Sequence, residues 1–537
     1  MGLRECLINC IKFLLKGVFE MIYKFTFKRF LALWLSLLFT LSVGIVFTSY
    51  PKSAASADIP VLKYYYVCDI ALPEDLKEVQ DAANEILVKK IGAKIELHPL
   101  SFHEVTTKIP LILASGEDAD IVSLSNFCPY ITAFQTGGLL ALDDLLPKVT
   151  PTLWKKYDKK VWNAVRIKGK IYMVPNNNPG VSYPGFWVPK DLTDKYKFNW
   201  KNADSWEAWE PFFDAILKNE KDVIPILSTQ DYWGRLWFPN YYGYDSVGSV
   251  SAPSGQPLVV VKVNDPKRRV IAAPFTDDYK AAVELARKWY LKGYFAKTPP
   301  TEAEMMTMRA NGKFAAFAVP FVGEWDTTAM ANNEWGGRTI LQAKIKGKPP
   351  IITTGTIAGS GNAVCKASKY PDKALKFIEQ MHTNAALHNL LNFGIEGKHW
   401  VWKDKTRKLI SLPEGVTGRT ARYNPNTYWQ FGDRRLQYFM AEGDIDTAKR
   451  VAQAMKSAVY SPILGFIPDP TPVKAEIAAV SSVAQEYGEP LEKGLVDPND
   501  PMRGLAVFQQ KLKEAGIDKI VAEFQKQVDE WAAQNLQ

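Results

Sequence analysis

Cysteine and histidine are scarce, at five each in 537 residues. Cys6 and Cys10 fall in a leader, so the body keeps Cys68, Cys128 and Cys365. That odd, widely spaced set forms neither a disulfide framework nor a thiolate metal site, and buried free thiols are expected. The histidines stand as His98 with His103, His382 with His388, and His399 alone. Six residues is a poor helical spacing for shared metal coordination, so surface or internally satisfied rings are expected. HExxH, CxxC, GxSxG and Walker patterns are all missing. Gly355 to Gly361 lacks the spacing and lysine of a phosphate cradle, and Asp497 to Asp500 lacks the order and glycine of a calcium loop, so it reads as a turn. No cofactor or metal is called for. Heptads, short-period repeats and low-complexity tracts are also absent.

An excess of one charge is missing as well. The formal charge of +9 falls to +4 once residues 1–57 are set aside, and the remaining basic residues are interspersed with acids. That balance excludes a nucleic-acid binder.

What the chain has is a leader. Lys24, Lys28 and Arg29 precede an uncharged apolar run from Phe30 to Ser49, and Ala55-Ser56-Ala57 has the small-x-small form of a signal-peptidase site. Export with cleavage after Ala57 is expected, with Met21 as an alternative start. An uncleaved anchor is the other reading, since about 20 apolar residues can span a bilayer. The 480 residues that follow exceed one core, so two or three domains are expected.

Val61 to Val67 reads as a strand, followed by a helix that Gly92 ends, a second strand Lys94 to His98, a helix over 103–114 and a third strand from Asp120 to Ser125. This βαβαβ order predicts a parallel sheet with ligand-facing loops at the carboxyl ends of its strands. Asp69, Asn126 and Phe127 sit at such ends. The stretch from Gly169 to Tyr196 then joins a short apolar run to three asparagines and to Tyr183, Phe186 and Trp187. Amides that donate and accept, beside rigid aromatic faces, suit a polar non-ionic ligand such as a sugar. An ordinary Pro/Gly-rich connection is the plain alternative. Residues 204–217 read as a helix with Trp206, Trp209, Phe213 and Ile216/Leu217 on one core face. The aromatics of 230–244 (Trp233, Trp237, Tyr241, Tyr242) fit neither period, and some of them are expected to face a cleft. A carboxylate pair drawn from Asp69, Glu324 and Glu396 leaves a secreted carbohydrate-active enzyme as a competing function.

The phrases Lys168-Gly-Lys-Ile-Tyr-Met-Val-Pro175 and Trp187-Val-Pro-Lys-Asp-Leu192 resemble family 1 extracellular solute-binding proteins of carbohydrate ABC importers. The tail, with Gly465-Phe-Ile-Pro-Asp-Pro470, Gly494-Leu-Val-Asp-Pro498 and Gln525-Lys-Gln-Val-Asp-Glu-Trp531, is similar to the LipO-like subgroup. The lipobox cysteine usual in that family is missing, which leaves lipid anchoring open. The resemblance implies an α/β, two-lobe periplasmic-binding-protein-like (type II) fold with hinge crossovers and a helical C-terminal extension. It also implies a sugar or oligosaccharide ligand, a membrane permease as partner, a monomer and no catalysis. An envelope sensor without transport is a further alternative. Lobe 1 is expected over 58–174 plus about 356–392, lobe 2 over 175–355 plus about 393–465, and the extension over 466–537. The expected ligand contacts are Asp69, Asn126, Phe127, Asn176, Asn177, Tyr183, Trp187, Trp233, Trp325 and Trp429.

Overall fold

A computed structural model describes residues 59–535, apart from 69–71, 126–127, 178–182, 229–234, 249, 252–254, 326–334, 336–337, 348 and 419, and apart from the side chains of 302, 320 and 321. The leader with Met21 and Ala57 therefore lies outside the described residues, as do Asp69, Asn126, Phe127 and Trp233. Ile59–Gln537 forms one compact unit.

The first sheet grows from the βαβαβ pattern. In Val61–Val67 alternate residues Leu62, Tyr64 and Tyr66 point into the core. The strand pairs in parallel with Lys94–Leu100 on one side and Ile121–Ser125 on the other. Helix Leu76–Ile91 ends where Gly92 takes the left-handed conformation, which closes the last turn. Helix Phe102–Ser115 begins with a capping box, Ser101 and Glu104 each satisfying the other's backbone N–H. A fifth strand breaks the parallel order. Ser360–Val364 runs antiparallel between Ile121–Ser125 and the short strand Val174–Pro175. The chain therefore leaves this lobe after Pro175 and comes back into it at Ser360.

Between those points lies the second sheet, with Ile340–Lys344, Tyr183–Pro189, Phe314–Val322 and Ile224–Ser228 in spatial order. Both faces are covered. Phe186, Trp206, Trp209, Phe213 and Trp289 fill one side, and Leu227, Phe317, Trp335 and Ile340 fill the other. The helical expectation for 204–217 holds from Glu210 to Asn219, behind a single 3₁₀ turn. Leu217 differs from its expected partners and is exposed.

Further crossovers complete the junction. Ile351–Ile352 pairs in parallel with Val459–Tyr460. The helices Lys474–Val483, Leu505–Glu514 and Ile517–Asn535 follow and pack on a small sheet made of Tyr244–Ser246, Val259–Lys262 and Val270–Ala272. Trp237 and Tyr242, which the sequence suggested for a cleft, are buried in that shared core instead. Of residues 393–431, expected with the second lobe, Phe393, Trp400 and Ile410 form a cluster of their own while Arg422, Tyr423 and Phe431 contact the first. Phe431 joins its core, the Tyr423 hydroxyl donates to the Leu391 carbonyl at 2.8 Å, and Arg422 pairs with Asp75 at 2.7 Å. Cys68, Cys128 and Cys365 are buried free thiols, as expected.

Candidate functional site

The carboxyl end of Val174–Pro175 leads straight into Asn176 and Asn177, at the edge where the lobes meet. Asn176 is buried and its amide is heavily used. Its Nδ2 donates to Ser360 Oγ at 2.8 Å, and its Oδ1 accepts from Asn362 Nδ2 at 2.9 Å and from the Gly432 N–H at 3.1 Å. Asn362 also accepts from the Tyr64 hydroxyl at 2.8 Å and donates to the Gln430 carbonyl at 2.9 Å. Gln430 in turn brackets the backbone of Val67, accepting from its N–H at 2.9 Å and donating to its carbonyl at 2.6 Å. A chain of side-chain amides thus moors residues 427–432 to the carboxyl end of the first strand.

Beyond this mooring the chain runs beside the first crossover. The Asn177 N–H donates to the Gly432 carbonyl at 2.9 Å, and the Arg434 N–H donates to the Asn177 carbonyl at 3.1 Å. Gly432 makes the course feasible, with φ at 86°. A Cβ there would stand 2.5 Å from the Met381 carbonyl group. Gly432→Ala is accordingly expected to lower the melting temperature and to displace Asp433 and Arg434, at about 1–3 kcal/mol, an effect that calorimetry checks.

The side chains that follow are charged. Asp433 is almost fully buried. Burial opposes its ionisation, but Arg435 and Lys156, at 2.7 and 2.8 Å, hold its carboxyl well below the usual carboxylate range. The Arg434 guanidinium crosses to the second lobe and lies 4.0 Å from the centroid of the Trp325 ring, with the Tyr428 ring at 6.0 Å. Its Nε donates to Gln437 Oε1 at 3.1 Å. Burial pushes its pKa down to about 10. Among the described residues no hydrogen-bond partner meets its two terminal nitrogens or the side-chain amide of Asn177. Beside Trp325, Glu324 pairs with Lys344 at 2.6 Å, and its carbonyl accepts from Arg450 Nε at 2.9 Å.

Of the expected contacts, Asn176, Asn177, Tyr183, Trp325 and Trp429 come together at this junction. Tyr183 packs on Ile352 in the crossover cluster. Trp429 is half-buried, and its carbonyl accepts from Ser360 Oγ at 2.9 Å. Trp187 lies elsewhere. It pairs in register with Phe317 and Gln342, four residues beyond Tyr183 along the strand, and stacks on Phe317 under Trp335. Arg434, Tyr428, Asn362 and Ser360 escaped sequence reasoning, since no periodicity or motif marks them.

The arrangement can hold a polar ligand, and Glu324 and Glu396, the described members of the nominated carboxylate set, are already engaged. Glu324 and Asp433 are both matched to cations, and Glu396 accepts from Trp402 Nε1 at 2.8 Å. Burial lowers the pKa of His382 to about 3 and that of His388 to about 4, so both rings are neutral. No group of three or more potential metal ligands occurs among the described residues.

Residues 81–393 match the family described as bacterial extracellular solute-binding protein, and residues 462–533 match a domain of unknown function. A curated carbohydrate ABC transporter substrate-binding protein of Streptococcus pneumoniae is 26% identical over 487 residues, which are 89% of this chain and 92% of that protein. Among solved structures, an N-glycan transport solute binding protein of Streptococcus pneumoniae superposes with a TM-score of 0.74 at 24% identity, covering 89% of this chain and 100% of that one. An ABC-transporter-associated solute binding protein from Bifidobacterium longum infantis, described as binding HMO, gives a TM-score of 0.57 at 17% identity, covering 88% and 99%.

Proposed function

The chain belongs to the bacterial extracellular solute-binding proteins, and from that premise we propose that it captures a sugar or oligosaccharide between its lobes and hands it, unaltered, to the permease of an ABC importer. The observation that carries this reading is the pairing of Arg434 and Asn177. Among the described residues, the Arg434 terminal nitrogens and the Asn177 side-chain amide have no hydrogen-bond partner at the lobe junction, and Arg434 lies beside the faces of Trp325 and Tyr428. A sugar presents the matching chemistry of hydroxyls around an apolar ring face. In this reading Arg434, Asn177, Trp325 and Trp429 touch the ligand, and Asn176 positions them from behind. Asp69, Asn126 and Phe127 keep their assignment from the strand-end rule, and Trp233 keeps its assignment from the aperiodic aromatics of 230–244.

A thermal-shift panel tests it. The panel starts with Man5GlcNAc, the glycan present in one structure of the N-glycan transport relative, and extends to fructans, uronic-acid oligomers and peptides. At 100-fold over its dissociation constant a ligand adds about 2.7 kcal/mol of stability. A shift with a glycan supports the proposal, and a shift with peptides alone sinks it. Arg434→Ala is expected to weaken binding of the responding glycan by about tenfold or more, measured by titration calorimetry, while the fold survives.

Two finer points belong to the same proposal. The tail phrases support membership of the LipO-like subgroup. The leader is cleaved after Ala57, so a secreted protein would give a mass starting at Asp58, whereas a retained leader would refute cleavage. A monomer is expected by light scattering.

A further inference from the structure

The region 462–533, which matches a domain of unknown function, has no apolar core of its own. Val480, Phe508, Ile520 and Phe524 are buried in one cluster with Trp237 and Val260, side chains contributed from more than 200 residues earlier. Polar ties repeat the pattern. Gln525 Oε1 accepts from the Val270 N–H at 2.7 Å, and Gln509 Nε2 donates to the Pro274 carbonyl at 2.8 Å.

A buried charge cluster sits in the same seam. Arg235 is buried, with its Nη2 3.4 Å from Glu489 Oε1 and its Nε 3.6 Å from Glu492 Oε2. The Tyr279 hydroxyl donates to Glu492 Oε1 at 2.9 Å. Both carboxylates belong to the short helix Glu489–Glu492 of the extension. A buried guanidinium separated from its anions is strongly disfavoured, so these carboxylates fix where Arg235 can lie.

That position matters because Leu236 and Phe238, just after Arg235, are buried in the second lobe's core. Arg235 follows by seven residues the end of Ile224–Ser228, which runs parallel to Phe314–Val322. The latter strand exits toward Trp325, so both carboxyl ends are directed to the lobe junction. The extension is also fixed to the crossovers. The Ser461 N–H donates to the Ile352 carbonyl at 2.9 Å, and the Gly465 N–H donates to Thr354 Oγ1 at 2.8 Å.

We propose that the C-terminal extension is a positioning device for ligand capture, in which Glu489 and Glu492 clamp Arg235 and so hold Leu236 and Phe238, and with them the second lobe's core, at a fixed place relative to the crossovers. The ligand part of this inference rests on the proposed function, and the clamp does not.

The test compares wild type with the triple variant Arg235→Met, Glu489→Gln, Glu492→Gln, which removes the Arg235 cluster and leaves the half-buried Lys493, 3.3 Å from Glu489 Oε2 in wild type, with an amide oxygen as acceptor. Hydrogen exchange needs no ligand. Amides over 235–247 should exchange about tenfold faster in the triple variant, while those of Val61–Val67 keep their rates. Arg235→Lys, which keeps the cation, should restore most of the protection. Unchanged exchange over 235–247, or acceleration spread evenly over both lobes, would overturn the clamp. Titrated with the panel glycan that gives the largest thermal shift, the triple variant should bind about fivefold more weakly, and equal affinity would overturn the link to capture. No shift with any panel glycan would instead fail the sugar reading, and the exchange rates would still decide the clamp.

Discussion

Asp245→Asn should make the protein more stable than wild type at pH 8 and leave it unchanged near pH 4. Asp245 lies on Tyr244–Ser246, opposite Val261, and is 6% exposed. Burial pushes its carboxyl pKa up to about 7, opposed only by hydrogen bonds from the Ser461 hydroxyl and from backbone at Ser246. Those groups are neutral, so nothing compensates a charge that forms there. Below about pH 3.8 the carboxyl is protonated in both folded and unfolded chains, and its contribution to stability is fully present. Between about 3.8 and about 7 the folded chain binds the proton more tightly, so stability falls as pH rises, and above 7 the loss is complete. The interval between the two values bounds the effect at about 4 kcal/mol.

Asparagine keeps the shape and the hydrogen bonding and cannot ionise. The offset between variant and wild type should therefore grow from near zero at pH 4 to its full size at pH 8. Over a body of this length that is roughly 4 °C or less in the melting midpoint. The difference between the two proteins is the right quantity, because His382 and His388 impose an opposite slope on both. Their lowered pKa values mean that stability is lost as pH falls from about 6.5 toward 3 to 4. Melting curves at four pH values decide the matter. Equal midpoints at pH 8, or an offset that does not grow with pH, would refute it.

Local signals made part of this fold legible. Gly92 marks the end of the first helix through interactions spanning a few residues. The alternation in Val61–Val67 places Tyr64 and Tyr66 in the core without knowledge of their partners. The junction is another matter. Asn176 could be recognised as being near the site, but its amide is satisfied by Ser360, Asn362 and Gly432, between 184 and 256 residues away. That saturation makes it a support, and nothing local announces it. Arg434 meets Trp325 only because the third lobe crossing returns the chain to the second lobe's edge. Trp187, half-buried and stacked on Phe317, is a different case. Its composition and neighbours suggest a ligand face, but a sheet covered on both sides turns each strand's alternation into two buried faces. Trp237 and Tyr242 resisted periodicity because the core that takes them is built from the far end of the chain.

Asn362→Leu should destabilise the first lobe more than any single exposed change, by about 2–6 kcal/mol. Asn362 is fully buried and is the node of the amide chain at the junction. Leucine fills a similar volume, so the loss comes from the groups left behind. The Tyr64 hydroxyl, itself fully buried, loses its Asn362 acceptor and keeps only the Ser123 hydroxyl beside it, and the Gln430 carbonyl loses its donor. Each orphaned buried group costs about 1–3 kcal/mol. Asn176 Oδ1 keeps the Gly432 N–H and is the least affected. A second substitution separates this account from simple misfit. Tyr64→Phe removes the stranded hydroxyl, so the double variant Tyr64→Phe, Asn362→Leu should recover about 1–3 kcal/mol relative to Asn362→Leu alone. Strictly additive losses in that cycle would show that the hydrogen bond carries no coupling. The functional consequence follows from the mooring. Gln430 and Gly432 hold the turn that presents Arg434 to Trp325. The destabilised variant should therefore bind its glycan more weakly even at temperatures where it remains folded, with the fluorescence of Trp325 and Trp429 changed in the free protein.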